Sequence, residues 1–265
     1  MIEFRDVHFR FGPLKVLDGV SFKVRQGSTK VILGPSGTGK STVLKLILGL
    51  LKPERGQVLL DGVDVATARR DELMALRRKV GMVFQEGALF DSLTVGENVG
   101  YSFLERSRMT LEEVEAEVRR HLTLVGLDPE LIDQLPDQLS VGMQRRVAIA
   151  RALAACNPTH MLYDEPTTGL DPITLETITD VIVRLKEELG ITSVVVTHQI
   201  PDALKVGSSF LMLGAGKVVF DGNAEALAAC EVPFVMEFLE PFKKTLRGAF
   251  HSLHPELNAG QGTSP

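Results

Sequence analysis

The sequence predicts an α/β fold with a small antiparallel sheet at its start and a helical segment inserted into its core. Three observations carry this. The strand-like run Lys30-Val31-Ile32-Leu33 leads into the loop Gly34-Pro35-Ser36-Gly37-Thr38-Gly39-Lys40-Ser41-Thr42, which opens the helical run Val43 to Leu51. Short apolar strands recur at Met161-Leu162-Tyr163, Ser193 to Thr197, Phe210 to Leu213 and Lys217 to Phe220. Between these groups, from Glu86 to about Cys156, the strand signal disappears.

Taken in order, Ile2 to Phe9 and Val20 to Val24 read as strands, punctuated by Gly12-Pro13 and Gln26-Gly27. Gln57 to Leu60, closed by the Asp61-Gly62 turn, completes the opening sheet. The loop fits G-x-x-x-x-G-K-[ST] with the strand before it and the helix after it that the pattern requires. Gly34, Gly37 and Gly39 lack a Cβ, so the backbone can curl and aim its N–H groups into one concavity. The helix that follows adds free N–H groups and a positive dipole end, which makes phosphate the natural guest. Lys40 would reach the β- and γ-phosphates of a nucleoside triphosphate, and the Ser41 hydroxyl would ligate Mg²⁺.

Beyond the loop, Asp71 to Arg78 reads as a short polar helix and Lys79 to Phe84 as a buried strand ending at Gln85. In the inserted segment, Leu111 to Leu124 is charged and helical. Ser140 to Ala155 is a helix with Val147, Ala150 and Leu153 on one side. After the strand Met161-Leu162-Tyr163, Ile178, Val181, Ile182, Leu185 and Leu189 recur at helical spacing. Ser193 to Thr197 is β-branched and suits burial on both faces.

Composition narrows the function classes. A net charge of −5 over 265 residues argues against nucleic-acid binding driven by bulk charge. Two cysteines are too few for a disulfide framework and suit a reducing compartment. Met1-Ile2-Glu3-Phe4-Arg5 does not read as a signal peptide. The most apolar window, Val43 to Leu51, is about half a bilayer span and contains Lys45, so a soluble chain that meets membranes through partners is expected.

Leu162-Tyr163-Asp164-Glu165 ends an apolar strand in two carboxylates. Alone, such a pair is more often a solvated turn or a helix cap. Beside a phosphate loop, Asp164 can hold Mg²⁺ through water, and Glu165 can act as general base on the attacking water. With this pair the chain resembles the ATP-binding-cassette ATPases over roughly residues 1–230, including a helical insertion at about 86–156. Phe11 stands where that family stacks an aromatic ring on adenine, with a core aromatic as the alternative. Gln85 resembles its Mg²⁺- and water-sensing glutamine. Leu139-Ser140-Val141-Gly142-Met143-Gln144 is similar to its signature motif, with Val141 in place of a usual glycine. Gly169-Leu170-Asp171 resembles the loop that couples two sites. His198 resembles the switch histidine, with a strand-end cap as the alternative.

The resemblance implies a P-loop NTPase (RecA-like) core and a head-to-tail homodimer with two shared ATP sites. Ser140, Val141, Gly142 and Met143 of one copy would cover the γ-phosphate held by the other. Physics supports the role, because Ser140 opens a helix whose free N–H groups make an anion site.

The segment Gly87 to Val99, with Met143, Arg145 and Gly169 to Thr174, is similar to the ATPases of Mla-type phospholipid transport, the partners of MCE-domain proteins. That implies an integral membrane permease and a location on the cytoplasmic side of the inner membrane. Leu89, Phe90 and Leu93 would then form an apolar socket for a permease helix, or else pack the helical insertion. An importer of amino acids or other small polar solutes is the alternative within transport. A soluble cassette acting on ribosomes or DNA fits less well. Residues 231–254 read as a C-terminal helical extension, with Phe234, Phe238, Phe242, Leu246 and Phe250 on one face and Pro241 as a kink or restart. This face either folds back or docks a second cassette or a small accessory subunit. Residues 255–265 are expected to be disordered.

Overall fold

The computed structural model describes residues 1–106, 109–155 and 158–242. In chain order the first elements are β1 (Ile2–Phe11), β2 (Leu14–Val24), β3 (Thr29–Leu33), α1 (Lys40–Ile47), β4 (Arg55–Leu60), β5 (Val63–Asp64), α2 (Arg70–Arg77) and β6 (Val80–Val83). The helical insertion follows as α3 (Val95–Arg106), α4 (Leu111–Leu124) and α5 (Val141–Ala154). The core then resumes with β7 (His160–Asp164), α6 (Pro172–Leu189), β8 (Thr192–Val196), α7 (Ile200–Val206) and β9 (Ser209–Gly214). It closes with β10 (Lys217–Gly222), α8 (Ala224–Ala228) and α9 (Pro233–Leu239).

Two sheets form. The antiparallel one has the order β2-β1-β4-β5, and the larger one runs β10-β9-β3-β8-β7-β6. Within the larger sheet β9, β3, β8, β7 and β6 are parallel, and β10 turns back against β9. Side-chain alternation divides the core in two. Ile32, Leu162, Val194 and Val196 face α1 and the antiparallel sheet. Val31, Leu33, Met161, Tyr163 and Val195 face the helical side built from α3 to α7. Burial of both faces of Thr192–Val196 agrees with the expectation for the β-branched run Ser193 to Thr197.

The parallel register brings the functional strand ends side by side. Ile32 pairs with Val196, Val196 with Asp164, and Tyr163 with Val83. The loops that leave these ends therefore carry Gly34, His198, Glu165 and Gln85 to one edge of the sheet, where open α/β folds bind ligands.

Several boundaries differ from the sequence reading. The opening hairpin is longer, because β2 begins at Leu14 directly after the Gly12-Pro13 turn. Helix α1 stops at Ile47, and Gly49 beyond it takes a positive φ of 62°. Helix α3 carries no clear helical signal. Gly96 and Gly100 weaken its propensity, yet they let it pack closely, since a Cβ on Gly96 would lie 2.5 Å from Ile132 Cγ1. At the C-terminal end, α9 finishes at Leu239 and a 3₁₀ turn spans Glu240–Phe242, so Pro241 ends the α-helix. Phe234, Phe238 and Phe242 pack on the main core, which is the fold-back arrangement. Leu246, Phe250 and the tail 255–265 lie outside the described residues.

Tyr163 is fully buried, and its hydroxyl finds no hydrogen-bond partner among the described residues. Burial pushes its phenol above the ordinary value. Tyr163→Phe is expected to raise stability by about 1 kcal/mol by removing a desolvated hydroxyl. A lower urea midpoint for the variant would mean that the hydroxyl has an acceptor.

Candidate functional site

The loop between β3 and α1 is shaped for a close-bound anion. Gly34 adopts φ 146°, and a Cβ there would lie 2.6 Å from the backbone oxygen of Leu213. Gly39 adopts φ 97° at the start of α1, where a Cβ would press within 3.0 Å of Val16 and Leu17 on β2. Both positions thus need glycine for backbone reasons. No side chain caps the N-terminus of α1 and no acid occupies its first turn, so its N–H groups remain available to phosphate.

Lys40 is buried within this loop. Its Nζ donates to Gly34 O at 2.9 Å and Pro35 O at 3.1 Å, and lies 3.6 Å from Glu165 Oε1. Two carbonyls hold the ammonium where a triphosphate would compete for it. Ser41 Oγ donates to Asp164 Oδ1 at 2.9 Å, joining the loop to the end of β7. Burial, opposed by the Ser41 hydrogen bond, raises the Asp164 carboxyl above its usual range. A hydroxyl and a desolvated carboxylate in contact are hard oxygen donors, which fits Mg²⁺.

Glu165 is a buried acid with φ 49°, a strained conformation for a residue with a side chain. Three side chains surround its carboxylate. His198 Nδ1 lies 2.7 Å from Oε2, Thr168 Oγ1 donates to the same oxygen at 2.9 Å, and Lys40 flanks Oε1. With Nδ1 turned to the carboxylate, the ring presents Nε2 elsewhere. His198 is about half exposed, so its ring can meet a ligand from solvent.

The structure thus assembles Lys40, Ser41, Asp164, Glu165 and His198 in one place. Thr168 joins them unforeseen, because a threonine in a loop carries no local signal. Gln85 is exposed, two residues past β6, on the same sheet edge by register. Phe11 sits at the tip of the β1–β2 hairpin, 49% exposed, with its ring edge-on to Phe9. It is therefore no core aromatic, and β2 of the same hairpin abuts Gly39.

The signature residues belong to a different surface. Ser140 caps α5 by accepting from Met143 N at 3.3 Å. Val141 is 56% exposed and points away from the body. Gly142 instead faces inward, and a Cβ there would lie 2.1 Å from Thr174 Cγ2 on α6. The glycine that this fold needs for packing is Gly142, while Val141 is accommodated at the front of the helix. Asp171 caps α6 beside this contact, accepting from Ile173 N and Thr174 N, each at 3.1 Å.

A sheet-edge phosphate loop with a buried lysine, next to a strand ending in two carboxylates, defines a nucleoside-triphosphate hydrolase of the α/β P-loop class. The family model described as ABC transporter matches residues 17–168. The intermembrane phospholipid transport system ATP-binding protein MlaF of Escherichia coli K12 is 38% identical over 240 residues, which span 91% of this chain and 88% of MlaF. The glutamine transport ATP-binding protein GlnQ of the same strain is 43% identical over 227 residues, 86% of this chain and 93% of GlnQ. A solved dimeric ATP-binding cassette, in a post-hydrolysis state bound to ADP and Pi, aligns with a TM-score of 0.76 at 38% identity, covering 84% of this chain and 98% of that one. This chain belongs to the ABC transporter family. It is an ATP-hydrolysing, nucleotide-binding subunit, of a kind that acts as a dimer with a membrane permease.

Proposed function

We propose that this chain energises the movement of phospholipid or another hydrophobic cargo through its permease, from the cytoplasmic side of the inner membrane, with an MCE-domain protein and a small accessory subunit as further partners. The cargo assignment is supported by the likeness to MlaF along 91% of the chain. The likeness to GlnQ supports import of a small polar solute as the second reading.

The coupling to a permease is supported by a groove. A cavity of about 400 Å³ opens beside Phe84, Ala88, Phe90, Tyr101 and Arg151, and the three aromatic rings are exposed. Buried Asn98 fixes the backbone that carries Phe90: its amide accepts from Phe90 N and donates to Phe90 O, Leu93 O and Thr94 O. Leu89 packs on the core instead, so the socket is made by Phe90 with Phe84 and Tyr101 rather than by Leu89. Arg151 spans the groove and the loop after Gln85. Its guanidinium lies 5.5 Å from the Phe90 ring and donates to Ala88 O at 2.8 Å and Gly87 O at 3.0 Å. A helix seated there touches the same side chains that hold the turn next to Gln85.

In this reading Phe11 stacks on adenine, and the loop Gly34, Pro35, Ser36, Gly37, Thr38, Gly39, Lys40, Ser41 and Thr42 encloses the phosphates. Lys40 leaves its two carbonyl partners for the β- and γ-phosphates. Ser41, Asp164 and Gln85 would hold Mg²⁺, which would neutralise charge on the phosphate oxygens. Glu165 takes the proton of the attacking water, and His198 orients the transferring group. Ser140, Val141, Gly142 and Met143 complete the site from a second copy.

The test is purification of the complex from native membranes in mild detergent, followed by mass spectrometry of proteins and lipids. A permease with an MCE-domain protein and phospholipid is the expected result, and Phe90→Glu should abolish recovery of the permease. A solute-binding protein with a polar-solute permease would replace the lipid reading. Full permease recovery with Phe90→Glu would remove the groove as the docking site.

A further inference from the structure

Thr167 and Asp202 are 2% and 4% exposed, and Thr167 Oγ1 donates a hydrogen bond to Asp202 Oδ2 across 35 positions of sequence. We propose that this bond is a positioning device for hydrolysis, fixing the Glu165 loop against the His198 loop so that their side chains stay in register. The inference rests on the reading of Glu165 as general base.

The argument begins with what Glu165 needs. Its positive φ is costly, so surrounding contacts must enforce it. Its backbone N–H donates to Val196 O at 2.9 Å, which anchors it to β8, and Thr168 Oγ1 steadies one carboxylate oxygen. The remaining strong contact is His198 Nδ1 at 2.7 Å. His198 itself is about half exposed and stands in the turn between β8 and α7. Its position relative to Glu165 therefore depends on how that turn is tied to the Glu165 loop.

Thr167 lies two residues after Glu165, and Asp202 lies in the first turn of α7, four residues after His198. Their hydrogen bond joins the two loops behind the catalytic face, away from solvent. Thr167 is the side chain that hydrogen-bonds the Asp202 carboxyl, and the other oxygen, Oδ1, has no hydrogen-bond partner among the described residues. Burying a carboxyl that satisfies only one oxygen is costly, and burial pushes Asp202 above the usual carboxylate range. An apolar pair of similar volume would be the cheaper core. A directional tie is what the polar pair adds, because a hydrogen bond fixes distance and angle where apolar contact fixes neither. Neither side chain hydrogen-bonds the nucleotide loop among the described residues, so the tie should act on the chemical step and leave ATP binding alone.

The experiment compares Thr167→Val with Thr167→Ser in the full-length chain purified with its permease. Valine keeps the volume and removes the donor, while serine keeps the donor. T167V is expected to lower kcat tenfold or more, roughly the scale of a sub-ångström misplacement of reacting groups, with KM for ATP within about twofold of wild type. T167S is expected to restore most of the rate. Asp202→Asn offers a second disruption, and where it fails to fold the threonine pair decides alone. Wild-type turnover in T167V would overturn the proposal. So would a parallel loss of thermal stability, ATP affinity and rate that T167S does not rescue, since that is the behaviour of a structural bond. Glu165→Gln is measured alongside. If E165Q is inactive while T167V is unimpaired, the tie fails and the base stands; if E165Q turns over normally, the underlying reading fails.

Discussion

Glu165→Gln is expected to keep ATP and lose turnover, by about a thousandfold, the middle of the range for removing a general base. The substitution is nearly isosteric. The amide oxygen can still accept from Thr168 Oγ1, which donates to Oε2 at 2.9 Å, so the side chain need not move. What disappears is the lone pair that can take a proton, together with the negative charge between Lys40 and His198. Glu165 meets the phosphate loop through its 3.6 Å ion pair with Lys40, but Gly34 O and Pro35 O also hold that ammonium, so nucleotide affinity should stay within a few fold. ATP should then accumulate between two copies, and size exclusion with ATP should show a dimer that persists. Near-normal hydrolysis would exclude Glu165 as the base, and loss of ATP affinity would make it a binding residue.

The second large effect is expected from Lys40→Met, which should weaken ATP binding by about a hundredfold, the scale of removing one partner of a buried charge pair. Methionine fills much of the lysine stem's volume, so the change is mainly one of charge. In the structure the ammonium is held by Gly34 O and Pro35 O, two neutral acceptors. A triphosphate offers charged acceptors in the same concavity and displaces the carbonyls because charge-assisted hydrogen bonds are stronger. Equilibrium titration with a fluorescent ATP analogue measures the effect. Affinity within about threefold of wild type would mean that the phosphates are held chiefly by backbone N–H groups and the dipole of α1, each helix-end charge contact being worth only about 1 kcal/mol.

These two residues show where sequence suffices. Lys40 and its loop are contiguous, and their chemistry follows from residue types at fixed spacing with a strand before and a helix after. The same holds for Ser140, whose capping hydroxyl is legible because a helix cap is a local event. Helix α4 is legible from end to end, with Thr110 and Glu113 forming a capping box at its start. By contrast, Val95–Arg106 became a helix against its own propensity. Its glycines allow close approach to Ile132 and Val114, which no local window contains.

The sequence by itself determined that this chain binds a nucleoside triphosphate, which strands carry its acids, and where the helical insertion lies. Each of those follows from short-range pattern. Only the tertiary structure decided that Ser41 meets Asp164, that Glu165 meets His198 and Thr168, and that Thr167 bonds Asp202. It also decided that Gly142 packs inward while Val141 faces out, and that Phe90 rather than Leu89 lines the groove. The physical reason is the order of the parallel sheet. Strands distant in sequence become neighbours there, and pairing at their ends fixes which side chains share a site.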